Sequence, residues 1–114
     1  MSSFRQERIN SVLKNEINKI FLKELDISPN ILITITRINT SSNLIQSKVY
    51  ISIIPKERSK EILKILQQEI YKIQQKINKQ LRIRPVPKII FIEETETEKA
   101  GKVEEILEKL KNKT

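Results

Sequence analysis

The chain has 114 residues, 38% hydrophobic and 32% charged, and its 22 Lys and Arg against 14 Asp and Glu give a formal net charge of +8. That length makes one hydrophobic core the default, and the apolar residues come in periodic runs, which argues against disorder. There is no Cys and no His, so disulfides, thiolate chemistry and the usual zinc ligand sets are excluded.

Ser3-Phe4-Arg5-Gln6 fits a capping box, in which the Ser hydroxyl and the Gln amide satisfy free backbone N–H groups at a helix start. Ile9, Val12, Leu13, Ile17, Ile20, Phe21 and Leu25 then follow at helical spacing, with Arg5, Arg8, Lys14, Lys19 and Lys23 on much of the remaining surface. This predicts a helix from about Ser3 to Glu24, ended by Asp26 to Asn30 with its Ser28-Pro29 pair. Ile31 to Ile38 is rich in β-branched residues and alternates after Ile31, as a half-buried strand does. The polar cluster Asn39 to Asn43 separates it from a second strand, Ser47 to Ile54, so the two are expected to form an antiparallel hairpin closed by Pro55.

Lys56 to about Gln80 reads as one long helix with the stripe Ile62, Leu66, Ile70, Ile73, Ile77 and Leu81. Pro85 and Pro87 stop it, and Lys88 to Ile92 reads as a third, well-buried strand. A long helix between strands two and three allows them to run parallel through a right-handed crossover. Val103, Ile106, Leu107 and Leu110 mark a short amphipathic helix from about Gly101 to Leu110. The expectation is a single α+β domain over residues 1–114, helices packed on a three-stranded sheet in the order α-β-β-α-β-α, with 93–114 an acidic loop plus short C-terminal helix. Of the five aromatics, Tyr50 and Phe91 are expected in the core and Tyr71 partly exposed.

Charge is unevenly distributed. Residues 1–92 hold 17 basic and 7 acidic side chains, whereas residues 93–114 hold 5 basic and 7 acidic ones. A cationic body attracts polyanions through counterion release and long-range steering. Lys60, Lys64, Lys72, Lys76 and Lys79 form a basic ridge opposite the Ile/Leu stripe of the long helix, leading into Arg82, Arg84 and Lys88. Arg5 and Arg8 form a second basic group suited to bidentate phosphate contacts, or to pairing with Glu7, Glu57 or Glu61. With so few aromatics, the pattern favours recognition of RNA shape and phosphate over base stacking. The alternative is a protein-interaction module that uses its sheet edge or acidic C-terminal segment without touching RNA.

Catalysis has little to work with. The one dense carboxylate group is Glu93, Glu94, Glu96 and Glu98, read here as a solvated acidic loop that favours the next helix start, with a magnesium site and a hydrolase as the weaker alternative. Gly101 is the only glycine, so no phosphate-cradling glycine loop exists. No apolar run approaches the ~18 residues of a membrane span, and Met1 to Asn10 lacks the apolar core of a signal peptide. A cytoplasmic protein is expected.

Four segments, in order, resemble the ribosome-binding factor A family: Arg5-Gln6-Glu7-Arg8-Ile9; Asp26-Ile27-Ser28-Pro29 with Ile33-Thr34-Ile35-Thr36-Arg37-Ile38; Asn43-Leu44-Ile45-Gln46-Ser47-Lys48-Val49-Tyr50-Ile51-Ser52; and Leu81-Arg82-Ile83-Arg84-Pro85-Val86-Pro87-Lys88-Ile89-Ile90-Phe91. The resemblance spans roughly Phe4 to Leu110. It implies a type II KH-like fold and binding to free, immature small ribosomal subunits near the 3′ region of their RNA. It further implies help with late RNA processing and with growth in the cold. It implies a monomer with no catalysis, no cofactor, no metal, no small-molecule substrate and no membrane. Three departures stand out. Glu69-Ile70-Tyr71 replaces the Ala-x-Gly element at which many members kink the long helix, and the GxxG loop of nucleic-acid-binding KH domains is missing. Asn43 and Asn30 stand where Asp and Arg are common.

Overall fold

A computed structural model of the chain describes residues 3–94 other than Glu24, Asp26 and Ser28. The first helix, α1, spans Phe4–Lys23. It starts at the capping box: Ser3 N–H donates to Gln6 Oε1 at 2.7 Å and Gln6 N–H donates to Ser3 Oγ at 3.1 Å. The Gln6 side chain also ties the helix to the sheet, its Nε2 donating to Thr40 O at 2.7 Å. Ile9, Leu13, Ile17 and Ile20 are the buried face of α1, at the steps of three and four that place residues on one side of a helix.

Strands β1 (Leu32–Thr40) and β2 (Gln46–Ile54) form the antiparallel hairpin, and β3 (Lys88–Glu93) lies parallel to β2, giving the sheet order β1-β2-β3. The hairpin turn manages without glycine. Ser41 N–H donates to Gln46 O, Leu44 N–H donates to Ser41 O, and the Ser41 and Asn43 side chains accept from Ile45 N–H. Leu44 takes the left-handed conformation there, with φ of 62°, and buries its side chain.

Strict alternation along β1 would turn Arg37 inward. Instead the register slips between Ile35, opposite Ile51, and Arg37, opposite Tyr50, leaving Thr36 as the extra residue of a bulge. Beyond the bulge Ile38 packs against the core and Thr40 is buried, while Arg37 points out. Thr40 is one of few buried polar residues, and its hydroxyl donates to Asn10 Oδ1 on α1 and accepts from Ser47 Oγ on β2. The inner face of the sheet carries Ile35, Val49, Ile51, Ile53, Ile89 and Phe91, all buried beneath the helices. Tyr50 is not in the core, contrary to expectation: it lies on the outer face, with Arg37 stacked 3.7 Å above its ring. Phe91 is the single buried aromatic, 5.9 Å from the half-buried Phe21 ring.

The long helix expected from Lys56 to Gln80 is three pieces: a 3-10 turn at Lys56–Arg58, α2 (Ser59–Gln68) and α3 (Ile70–Gln80). Glu69, at φ −95° and ψ 3°, separates the last two. Its N–H still donates to Ile65 O and its carbonyl still accepts from Ile73 N–H, so the axis turns without stranding these backbone groups. The turn lets α2 pack on β2 and β3 while α3 packs against α1 and β3. The architecture is α+β and type II KH-like. The expected C-terminal helix, Gly101 to Leu110, lies outside the described residues. No helix among the described residues is long and apolar enough to cross a membrane.

Candidate RNA interface

Helix α1 presents a flank beside its buried face. Arg5, Arg8, Val12, Glu16, Lys19 and Lys23 follow steps of three and four along it. At the N-terminal end, Arg5 and Arg8 join Arg84 around a groove of about 310 Å³ floored by Ile9, Val12, Leu44, Ile83 and Pro85. At the C-terminal end, Lys19 and Lys23 face Lys76 and Lys79 of α3 across a recess of about 330 Å³ that Glu16, Ile20, Ile77 and Gln80 complete. The recess is a trough between α1 and α3, whereas the groove at the other end lies between α1, the hairpin turn and the segment that follows α3.

Seven cations line these two hollows along α1: Lys19, Lys23, Lys76 and Lys79 in the trough, and Arg5, Arg8 and Arg84 in the groove. Among the described residues Glu16 is the lone carboxylate in their linings, and it lies 3.6 Å from Lys19 Nζ. Arg84 is fixed in place by the end of α3: Nη1 donates to Leu81 O at 2.9 Å and Ile83 O at 2.7 Å, and Nη2 approaches Asn78 O at 3.4 Å. A guanidinium there offsets the partial negative charge of the helix C-terminus. Among the described residues Arg5 and Arg8 make no ion pair. The candidate partner Glu61 is taken by Arg58, through hydrogen bonds of 2.7 and 3.0 Å. That hydrogen bond holds the Glu61 carboxyl below its ordinary pKa and raises the Arg58 guanidinium above its own.

The straight ridge expected from Lys60 to Lys79 is divided at Glu69. Lys60 and Lys64 are exposed on α2, and Lys72 is exposed next to the break, 4.0 Å from Glu69 Oε1. Arg82 is exposed beyond α3. Lys88 is separated from Lys76 and Lys79 by the body of α3. It lines a recess of about 410 Å³ on the opposite flank of that helix, together with Ile45, Tyr71, Gln74 and Asn78. Tyr71 is 71% exposed there.

Lys19 and Lys23 were not singled out from the sequence as contact residues. Their steps from Arg5 and Arg8 place all four on one flank, but nothing local says that α3 lies beside that flank. Only the packing of α1 on α3 brings the two sets of cations together.

The acidic cluster resolves differently from a solvated loop at its first members. Glu94 accepts from the Thr36 hydroxyl at 2.7 Å and from Arg37 Nε at 3.1 Å, with its side chain 6% exposed. Glu96 and Glu98 lie outside the described residues. Among the described residues no three His, Cys, Asp or Glu side chains gather as a metal would require.

Comparison with known proteins places these features. The family model of ribosome-binding factor A matches residues 5–107. A ribosome-binding factor A of Prochlorococcus marinus (strain MIT 9312) is 34% identical, over 98% of this chain and 88% of its own. The crystal structure of ribosome-binding factor A from Thermus thermophilus superposes with a TM-score of 0.63 at 19% identity, covering 77% of this chain and 94% of that one. A homology model of the Thermus thermophilus factor, fitted into the cryo-EM map of its 30S complex, superposes with a TM-score of 0.57 at 18% identity, over 81% of this chain and 93% of that one.

Proposed function

The chain belongs to the ribosome-binding factor A family, and from that premise we propose that it binds immature, free small ribosomal subunits through their structured RNA and assists late processing of that RNA. The observation that carries the reading is the flank of α1, whose trough and groove bring together seven cations and, among the described residues, one carboxylate. Each lysine or arginine that meets a phosphate releases counterions, so affinity accumulates without any base being read. Arg84, held by the backbone carbonyls of Leu81 and Ile83 just past α3, offers a pre-oriented group, and arginine suits planar bidentate contact with phosphate. A relative fitted in a 30S map supports the small subunit as the partner.

In this reading the trough makes the main contact. Lys60, Lys64 and Lys72 on the outer surfaces of α2 and α3, with Arg82 and Lys88, add peripheral phosphate contacts. The protein acts as a cytoplasmic monomer that works by binding, without cofactor, and supports subunit maturation in the cold.

Co-sedimentation tests this. The protein should travel with free small subunits at low salt and leave them at high salt; equal distribution over translating ribosomes would refute the reading. Replacing Lys72, Lys76 and Lys79 together by Gln should leave folding intact, weaken subunit binding more than ~10-fold and reduce the salt slope by about three, one counterion step for each lysine.

A further inference from the structure

The cations along α1 come in two groups and not in a line. On its flank Arg5 and Arg8 stand near one end and Lys19 and Lys23 near the other, with Val12 and Glu16 between them. Arg8 and Lys19 are eleven residues apart, which is ~16 Å along the axis at ~1.5 Å per residue. The one lysine of α1 in that interval, Lys14, is two residues from both Val12 and Glu16, so it points roughly half a turn away from the flank. Arg84 adds to the first group, and Lys76 and Lys79 add to the second. The middle carries the opposite sign. The Glu16 side chain is half-buried there, its Oε2 3.6 Å from Lys19 Nζ.

We propose, building on the RNA-binding reading above, that this flank binds an RNA double helix across its minor groove. Arg5, Arg8 and Arg84 meet one phosphate backbone, the four lysines of the trough meet the other, and Glu16 accepts from a ribose 2′-hydroxyl between them. A single strand laid along α1 would bring its phosphates past Glu16, because they recur every few ångströms, and like charges repel there. A duplex avoids this. Its two backbones lie apart, and the minor groove of A-form RNA is wide, shallow and lined by 2′-hydroxyls. A carboxylate only accepts hydrogen bonds, as a phosphate does, so the group it can hold is a donor such as a hydroxyl. The minor groove of B-form DNA, at ~6 Å, is narrower than the interval between the two groups.

Fluorescence anisotropy with labelled probes tests this on the full chain at low salt. The probes are an RNA duplex of two helical turns, one of its strands alone, and the same duplex in 2′-fluoro form, which keeps A-form geometry without the donor. The wild-type protein should bind the RNA duplex more tightly than the strand. It should also prefer it to the 2′-fluoro duplex by ~10-fold, as for loss of a hydrogen bond to a charged group. Glu16→Ala should weaken binding to the RNA duplex and erase that second preference. Glu16→Gln, which keeps an acceptor oxygen, should retain part of it. Equal binding of strand and duplex would overturn the proposal. So would tighter binding of the RNA duplex by Glu16→Ala, or a 2′-fluoro penalty that this variant leaves unchanged. Co-sedimentation separates the two levels: a protein that follows free small subunits but gives any of these results keeps its RNA-binding role and loses the minor-groove contact. A protein that does not follow them loses both.

Discussion

The Gln74 side chain of α3 reads the backbone of β3 in both directions: Ile89 N–H donates to its Oε1 at 2.8 Å and its Nε2 donates to Pro87 O at 3.1 Å. β3 is an edge strand with β2 on one side only, so the amide occupies backbone groups that no neighbouring strand can reach. It thereby fixes the height of α3 over the sheet, and with it the position of Lys76 and Lys79 two and five residues further on. Gln74→Ala strips partners from two part-buried backbone groups. Leaving such groups unsatisfied costs about 1–3 kcal/mol. Urea denaturation should show a loss in that range, and an unchanged midpoint would mean that water replaces the amide without penalty.

Leu44 sets two effects against each other. Holding a side chain with a Cβ at φ 62° costs about 1–2 kcal/mol, while burying a leucine contributes about 1.5–3 kcal/mol. Burial wins, which is why a leucine is tolerated in the turn. Leu44→Ala keeps most of the backbone strain and loses the packing, whereas Leu44→Gly loses the packing and relieves the strain. The glycine variant should therefore be more stable than the alanine variant by about 1 kcal/mol, the reverse of their order in a helix. Chemical denaturation of the two variants side by side settles the order.

The parts of the fold that were legible in the sequence are those decided by short-range pattern. The Ser3/Gln6 cap, the α1 stripe from Ile9 to Ile20, the hairpin and the parallel placement of β3 all follow from spacing and turn chemistry. What was hidden depends on contacts between distant residues. The bulge at Thr36 exists because Ile38 and Thr40 are needed beneath α1, a demand set by Gln6 and Asn10 some thirty residues away. The break at Glu69 carries no proline or glycine to announce it, and reflects the different surfaces on which α2 and α3 rest. The candidate interface was half visible for the same reason: a single-sign run on α3 can be seen by eye, but its opposing wall on α1 cannot.

Arg58 and Glu61 allow a prediction about acid. The hydrogen bond from Arg58 holds the Glu61 carboxyl below its ordinary pKa in the folded chain. As the pH falls into the carboxylate range, the unfolded chain therefore takes up this proton first. The pair's contribution is present above the unfolded value and is lost as the pH drops through the folded one. Both side chains are about half exposed, so solvent screening keeps the contribution small. The sensitive readout is the titration itself. By NMR, Glu61 should titrate below an ordinary glutamate, and Arg58→Gln should return it to the ordinary range. A midpoint that does not move in that variant would show that the hydrogen bond does not persist in solution.

The trough and the ridge make different demands on α1. If RNA ran along the outer surface of α2 and α3, Lys19 and Lys23 would face away from it and Lys60 and Lys64 would lie on its path. If RNA enters the trough, Lys19 and Lys23 stand directly opposite Lys76 and Lys79. The double variant K19Q/K23Q should then weaken binding to free small subunits about as much as K76Q/K79Q does, each lowering the salt slope by about two. K60Q/K64Q should have the smaller effect of the three. All six positions are exposed, so folding is not at stake, and exposed substitutions of this kind usually shift stability by no more than about 0.5 kcal/mol. Subunit pelleting across a salt series measures both affinity and slope. A larger loss in K60Q/K64Q than in K19Q/K23Q would move the contact from the trough to the outer surface of α2. In that case Arg5 and Arg8, which share the flank of α1 with Lys19 and Lys23, would leave the interface with them.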